Sequence, residues 1–188
     1  MLALPAKSTG LVLIDLQNGI VSAQPRAPYS SEAVVEKAKA LAGRFRDARA
    51  PVFLVHVGFA ADFSDTLQQP VDSPTPRLQG DRDQWFALVD GLEQPGDIVI
   101  HKRNWGAFYG TDLDLQLRRR GIETIVLGGI ATNFGVESTA RDAWERNYAL
   151  VVVEDACTSG AAEAHEMAFK YVFPHISRVT QSDQISLV

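Results

Sequence analysis

Short apolar runs alternate along the chain with stretches whose apolar residues recur every three or four positions. Residues 11–16, 51–57, 97–100, 123–128, 150–153 and 176–179 have strand length and are rich in Val, Ile and Leu. Between them, residues 31–48, 113–118, 136–146 and 161–173 read as helices. In the first of these, Ala33, Val34, Ala38, Leu41, Ala42 and Phe45 share one face, the pattern of a helix that covers a core. Ser31 stands where an N-cap is expected. Strands without polar alternation are buried on both faces, and strand–helix alternation builds a parallel sheet flanked by helices. The expected fold is therefore α/β in three layers, with about six parallel strands and right-handed crossovers. Residues 59–84 break the pattern: they are largely polar, hold Pro70, Pro74 and Pro76, and predict a long loop of the kind that often carries function.

Composition narrows the class. A chain of 188 residues fits one domain, 1–188, with 46% hydrophobic and 22% charged residues, an ordinary globular balance. The net charge of −5 and the lack of a basic stripe argue against nucleic acid as a partner. The densest basic cluster, Arg118-Arg119-Arg120, falls at a predicted helix end, where cations suit the helix dipole. No apolar run reaches the ~18 residues of a membrane span. Residues 1–7 lack a signal-peptide pattern, and a single cysteine, Cys157, cannot form an internal disulfide. A cytoplasmic protein is expected, with no membrane partner.

In open parallel sheets ligands bind outside the carboxyl ends of the strands, so the residues after each strand matter most. Asp15 lies near the end of an otherwise apolar run, where a carboxylate is costly unless paired. It is either a reacting group or an anchor for backbone amides of the next loop. Lys102 follows the third strand in a segment with Trp105, Phe108 and Tyr109, rings that can wall a pocket or plug the sheet end. The fourth strand runs into Gly128-Gly129, with Thr132 or Asn133 placed to cap the helix behind. Amides at such a helix start form an oxyanion site.

These blocks carry a resemblance. The run Leu11-Val-Leu-Ile-Asp-Leu-Gln17, Lys102 in its aromatic segment, and Gly129-Ile-Ala-Thr-Asn-Phe-Gly-Val-Glu137 resemble, in order and spacing, the signature blocks of the isochorismatase-like hydrolases. Glu154-Asp-Ala-Cys157 resembles a fourth block. The resemblance implies a small-molecule hydrolase that forms homo-oligomers, a dimer or tetramer. It implies a substrate pocket drawn from Gln17, Trp105, Phe108, Tyr109, Ile130, Thr132, Asn133 and Phe134. It implies an oxyanion turn at Ala131 and Gly135, with a cis peptide at Ile130–Ala131. In amidase members an Asp, a Lys and a nucleophilic Cys act together; the first two match Asp15 and Lys102, but the cysteine position is Gly135.

Glycine excludes acyl-enzyme chemistry at that position, and Cys157 matches a non-catalytic position. True isochorismatases resemble this chain in that glycine; they hydrolyse a vinyl ether by protonating its enol carbon. The flanks differ from theirs: Ala131-Thr132-Asn133 is the amidase-like version, and Val57 and Asn104 stand where they carry Gln and Arg. Asp15 is thus either an acid for a vinyl ether or a base for direct attack of water. Burial would raise its pKa and a nearby Lys102 would lower it. No cofactor and no metal are expected, because residues 56–63 lack the paired-histidine spacing of a metal site. His56 reads as a core or pocket histidine. The alternative to an enzyme is a non-catalytic member that binds a small ligand or a partner protein. A dinucleotide binder is disfavoured, because no Gly-rich fingerprint follows the first strand.

Overall fold

A computed structural model describes residues 1–23, 25–74 and 80–188; Pro76, in the expected long loop, lies outside them. The central sheet has six parallel strands: β2 (Thr9–Ile14), β3 (Val52–Val57), β4 (Ile98–Lys102), β5 (Thr124–Ile130), β6 (Ala149–Thr158) and β7 (Arg178–Thr180). Their order is β4-β3-β2-β5-β6-β7. A two-stranded parallel sheet pairs β1 (Leu2–Leu4) with β8 (Ile185–Leu187).

Strand β2 shows how the pattern makes the layers. All six of its residues are buried. Because side chains alternate across a strand, Val12 and Ile14 enter one apolar cluster and Leu11 and Leu13 the other. The first cluster is covered by Leu113 and Leu117 of α4 (Leu113–Arg119), Ala140 and Ala143 of α5 (Glu137–Glu145), and Ala168 of α6 (Ala162–Tyr171). The second is covered by Val34, Ala38, Leu41 and Phe45 of α2 (Ser31–Asp47). The three-layer α/β fold is as expected.

Several local details differ from expectation. The cap of α2 is Ser30, whose hydroxyl accepts from the Ala33 amide. Strand β6 runs on through Thr158, beyond the apolar run that announced it. The helix expected to reach 173 ends at Tyr171, and a separate turn, α7 (Phe173–Ile176), takes up Ile176 before β7. Two further short helices, α1 (Asn18–Val21) and α3 (Arg82–Phe86), interrupt what read as loop.

The chain steps outward from β2 to β3 and β4, then returns to the other side of β2 as β5. The strand order reverses between β2 and β5, and the crevice at their carboxyl ends is where such sheets take ligands.

Candidate active site

Two strand ends and one turn meet at that crevice. Asp15 follows the last residue of β2 and leaves the ladder with φ 55°, a left-handed conformation that Asp adopts more readily than most residues. Its amide still donates to the Val55 carbonyl at 2.8 Å. Its side chain therefore swings over the end of β3 towards Lys102, the last residue of β4. The two strands lie two positions apart, roughly 10 Å at ~4.8 Å per strand, a gap that needs a long side chain. Lys102 Nζ reaches Asp15 Oδ2 at 2.9 Å and donates also to the Asn104 carbonyl at 2.9 Å. Lysine and aspartate are 2% and 6% exposed, so the pair is nearly dry.

Burial pushes the Asp15 carboxyl above its ordinary value, outweighing the opposing pull of Lys102. Its second oxygen, Oδ1, is buried and has no hydrogen-bond partner among the described residues. A charged carboxylate with one bare oxygen is poorly solvated, whereas a carboxylic acid can hold its proton there.

The turn after β5 supplies the third wall. The Ile130–Ala131 peptide is cis, and residues Thr132–Val136 form a single π-helical turn ahead of α5. Neither Thr132 nor Asn133 caps α5. Thr132 instead bonds His165 Nδ1 at 2.9 Å, and Asn133 Oδ1 accepts from the Ser159 hydroxyl at 2.5 Å. Gly135 faces the ion pair. A Cβ there would lie 3.0 Å from Asp15 Oδ2, 2.9 Å from Ile14 Cγ2 and 3.5 Å from the Trp105 carbonyl. Its carbonyl accepts from the Thr139 hydroxyl at 2.7 Å, and that hydroxyl accepts from the Ala107 amide at 3.1 Å. This chain of bonds ties the segment after β4 to the turn after β5.

Asp15, Lys102, Gly135 and the backbone of Trp105 are thus brought together. The Trp105 ring packs edge-on against Phe134 at 4.8 Å, and both stay about half exposed at the rim. Ala131 is partly exposed, and its carbonyl accepts from the amides of Phe134 and Val136. Tyr109 stands out in solvent.

Thr132, also expected in the pocket, is fully buried with its hydroxyl on His165, and three more of the expected residues are placed elsewhere. Phe108 is buried in the α4–α5 core beside Tyr148, with the Arg146 guanidinium over its ring at 4.8 Å. Ile130 belongs to the opposite core cluster. Gln17 is fully buried, and its side chain is used up by the Val57 carbonyl and amide and the Phe86 carbonyl. It clamps β3 to α3. Two concavities of about 460 and 610 Å³ open at the amino ends of the strands, away from the crevice.

Among the described residues no three His, Cys, Asp or Glu side chains gather as metal ligands. His56 stacks on His101 at 5.1 Å. Cys157 is fully buried and its thiol is pushed up strongly by burial.

The isochorismatase domain family matches residues 9–184. The chain belongs to the isochorismatase family. It thereby joins a family of hydrolases. A family relative from Escherichia coli O157:H7, the uncharacterized protein YecD, is 51% identical over 187 residues, 98% of each chain. The solved structure of a family protein from Burkholderia thailandensis superposes with a TM-score of 0.91 at 46% identity, covering 95% of this chain and 94% of that one. N-carbamoylsarcosine amidase from Thermoplasma acidophilum is similar at a TM-score of 0.74 and 29% identity, over 95% and 99% of the two chains.

Sequence reasoning missed the partners of the turn. Glu154 and Asp155 interrupt the apolar run of β6, and His165 falls on the buried face of α6 with Ala168. A carboxylate inside a strand and a histidine on an apolar helix face are the signals that could have linked them.

Proposed function

We propose that this family member hydrolyses a small molecule without a cysteine nucleophile, with Asp15 as the proton-transferring group and Lys102 as its electrostatic partner. The observation that carries this reading is the buried Asp15–Lys102 pair at 2.9 Å facing Gly135, with Asp15 Oδ1 left without a partner among the described residues. A structural carboxylate has both oxygens satisfied; one kept bare can deliver a proton.

The raised Asp15 carboxyl favours the acid role and hence a vinyl ether substrate. Asp15 gives its proton to the terminal enol carbon, forming a C–H bond as the double-bond electrons move and leave an oxocarbenium ion. Lys102 stabilises the carboxylate left behind. Water adds to the cation and returns a proton to Asp15. The hemiketal then breaks its C–O bond, releasing a ketone and an alcohol. Gly135 leaves space beside Asp15 Oδ2 for that water or for the substrate, where a larger residue would press on Ile14. Ala131 and Gly135 lie in the turn that would hold a developing oxyanion. Trp105 and Phe134 would border the substrate.

One observation favours a second reading, attack of water on an amide with Asp15 as base: the likeness to an amidase across almost the whole chain. Pyruvate release from isochorismate by the wild-type protein and by Asp15→Asn separates the two. Release that disappears in the variant supports the vinyl ether route. No release, with Asp15-dependent loss of an amide such as N-carbamoylsarcosine, supports the second. Equal turnover by the variant on either compound removes Asp15 from the chemistry. A family member that only binds ligands would turn over neither.

A further inference from the structure

The turn that carries Gly135 is gripped from behind by a line of hydrogen bonds. Thr132 Oγ1 meets His165 Nδ1 at 2.9 Å, and His165 Nε2 meets Glu154 Oε1 at 3.1 Å. Tyr29 donates its hydroxyl to the same carboxylate at 3.0 Å, and Gln181 donates to its other oxygen. The ring of His165 is enclosed by Tyr29, edge-on at 6.1 Å, and Phe169 at 4.5 Å. Threonine, histidine and glutamate here have the connectivity of a nucleophile, base and orienter. Burial rules out that use: Thr132 is 0% exposed and His165 is 2% exposed, so no substrate carbonyl reaches the hydroxyl.

The same geometry fixes the proton positions. A carboxylate only accepts, so Nε2 of His165 carries the hydrogen towards Glu154. In the neutral ring Nδ1 is then an acceptor, and the Thr132 hydroxyl must donate to it. An imidazolium would present N–H on both sides and reverse that bond. Burial opposes the charged ring, while Glu154 of β6 and Glu166 of α6 favour it.

Glycine at 135 has no side chain with which to hold its own place, and its backbone is the least restrained of any residue. The turn is therefore located by its neighbours: His165 on Thr132, Ser159 on Asn133, and Thr139 on the Gly135 carbonyl. We infer that His165, braced by Glu154 and Tyr29, is a positioning residue that holds the Ala131–Gly135 turn against Asp15 through the Thr132 hydroxyl. This rests on the reading of that crevice as the reaction centre, but its test does not depend on a substrate.

Amide hydrogen exchange of the segment 131–137 is measured in the wild type, Thr132→Val, Thr132→Ser and His165→Gln, with segments 52–57 and 98–102 as internal controls. Loss of the grip should speed exchange of 131–137 roughly tenfold in Thr132→Val and His165→Gln, with the controls unchanged. Thr132→Ser keeps the hydroxyl and should match the wild type. Wild-type rates in Thr132→Val, equal loosening in Thr132→Ser, or loosening of all three segments together would each overturn the inference. If Asp15→Asn instead proved fully active, the reaction reading would fail while these exchange results stood.

Discussion

Two buried aspartates stand at opposite ends of the same sheet and are used differently. Asp97 precedes β4 at the amino end, and its side chain is 3% exposed. Both of its oxygens are taken: Arg46 donates to Oδ1 from Nε at 3.1 Å and to Oδ2 from Nη2 at 2.7 Å, and the Gln94 amide donates to Oδ2 at 2.9 Å. Asp15 follows β2 at the carboxyl end, with a side chain 8% exposed. Only one of its oxygens is bonded. The residue type and the depth are alike, so burial alone does not mark a reacting group. The bidentate fork of Arg46 saturates a carboxylate, whereas the point charge of Lys102 leaves one oxygen bare.

The comparison breaks most sharply on activity. Asp15→Asn should lower turnover by about 10²–10⁴-fold, the usual contribution of a proton-transferring side chain, and leave the circular dichroism of the fold unchanged. Asp97→Asn should leave turnover near the wild-type rate; a comparable loss there would erase the distinction. In stability, Lys102→Met removes the bonds to Asp15 and to the Asn104 carbonyl and should cost about 3 kcal/mol in urea unfolding, Asp15 remaining as the neutral acid. Asp97→Asn loses charge-assisted bonds and should cost about 2 kcal/mol. Gly135→Ala should cost about 1 kcal/mol as its Cβ presses on Ile14, and should also slow turnover by crowding Asp15 Oδ2.

The smallest effect lies in pH. Folding raises the Asp15 carboxyl from its ordinary 3.8, so the folded state binds the proton more tightly than the unfolded chain. The stability of the wild type relative to Asp15→Asn should therefore fall as pH rises from that value through the raised one, and level off beyond it. Urea midpoints of the two proteins across pH 3–8 measure the difference. A difference that grows with pH would mean that Lys102, rather than burial, governs the carboxyl.

The layers of the fold were legible because apolar runs buried on both faces leave a strong mark on composition. β1 and β8 were not, since three residues such as Leu2-Ala-Leu4 carry no period. The centre of the crevice was legible at Asp15, a charge inside an apolar run. Its rim was not: Phe108 and Trp105 lie three positions apart in one segment, and nothing local says that Arg146 and Tyr148 draw the first into the core. Gln17 reads as a polar residue near a site, yet its amide is spent on backbone that arrives 40 and 69 positions later. Thr132 and Asn133 have good capping chemistry, but His165 of α6 and Ser159, just after β6, take it instead of the local helix.

Gly129 has a consequence for how the crevice works. It sits at φ 130°, where the pairing of β5 with β6 slips, and a Cβ there would fall 2.2 Å from the Ile14 carbonyl oxygen. The backbones of β2 and β5 are in contact one residue before Asp15 and two before Ala131. No side chain acts as a spacer between them, so this seam has no slack. The crevice is bounded on its other side by the segments beyond β3 and β4, which the partly exposed Arg103–Asp65 pair joins.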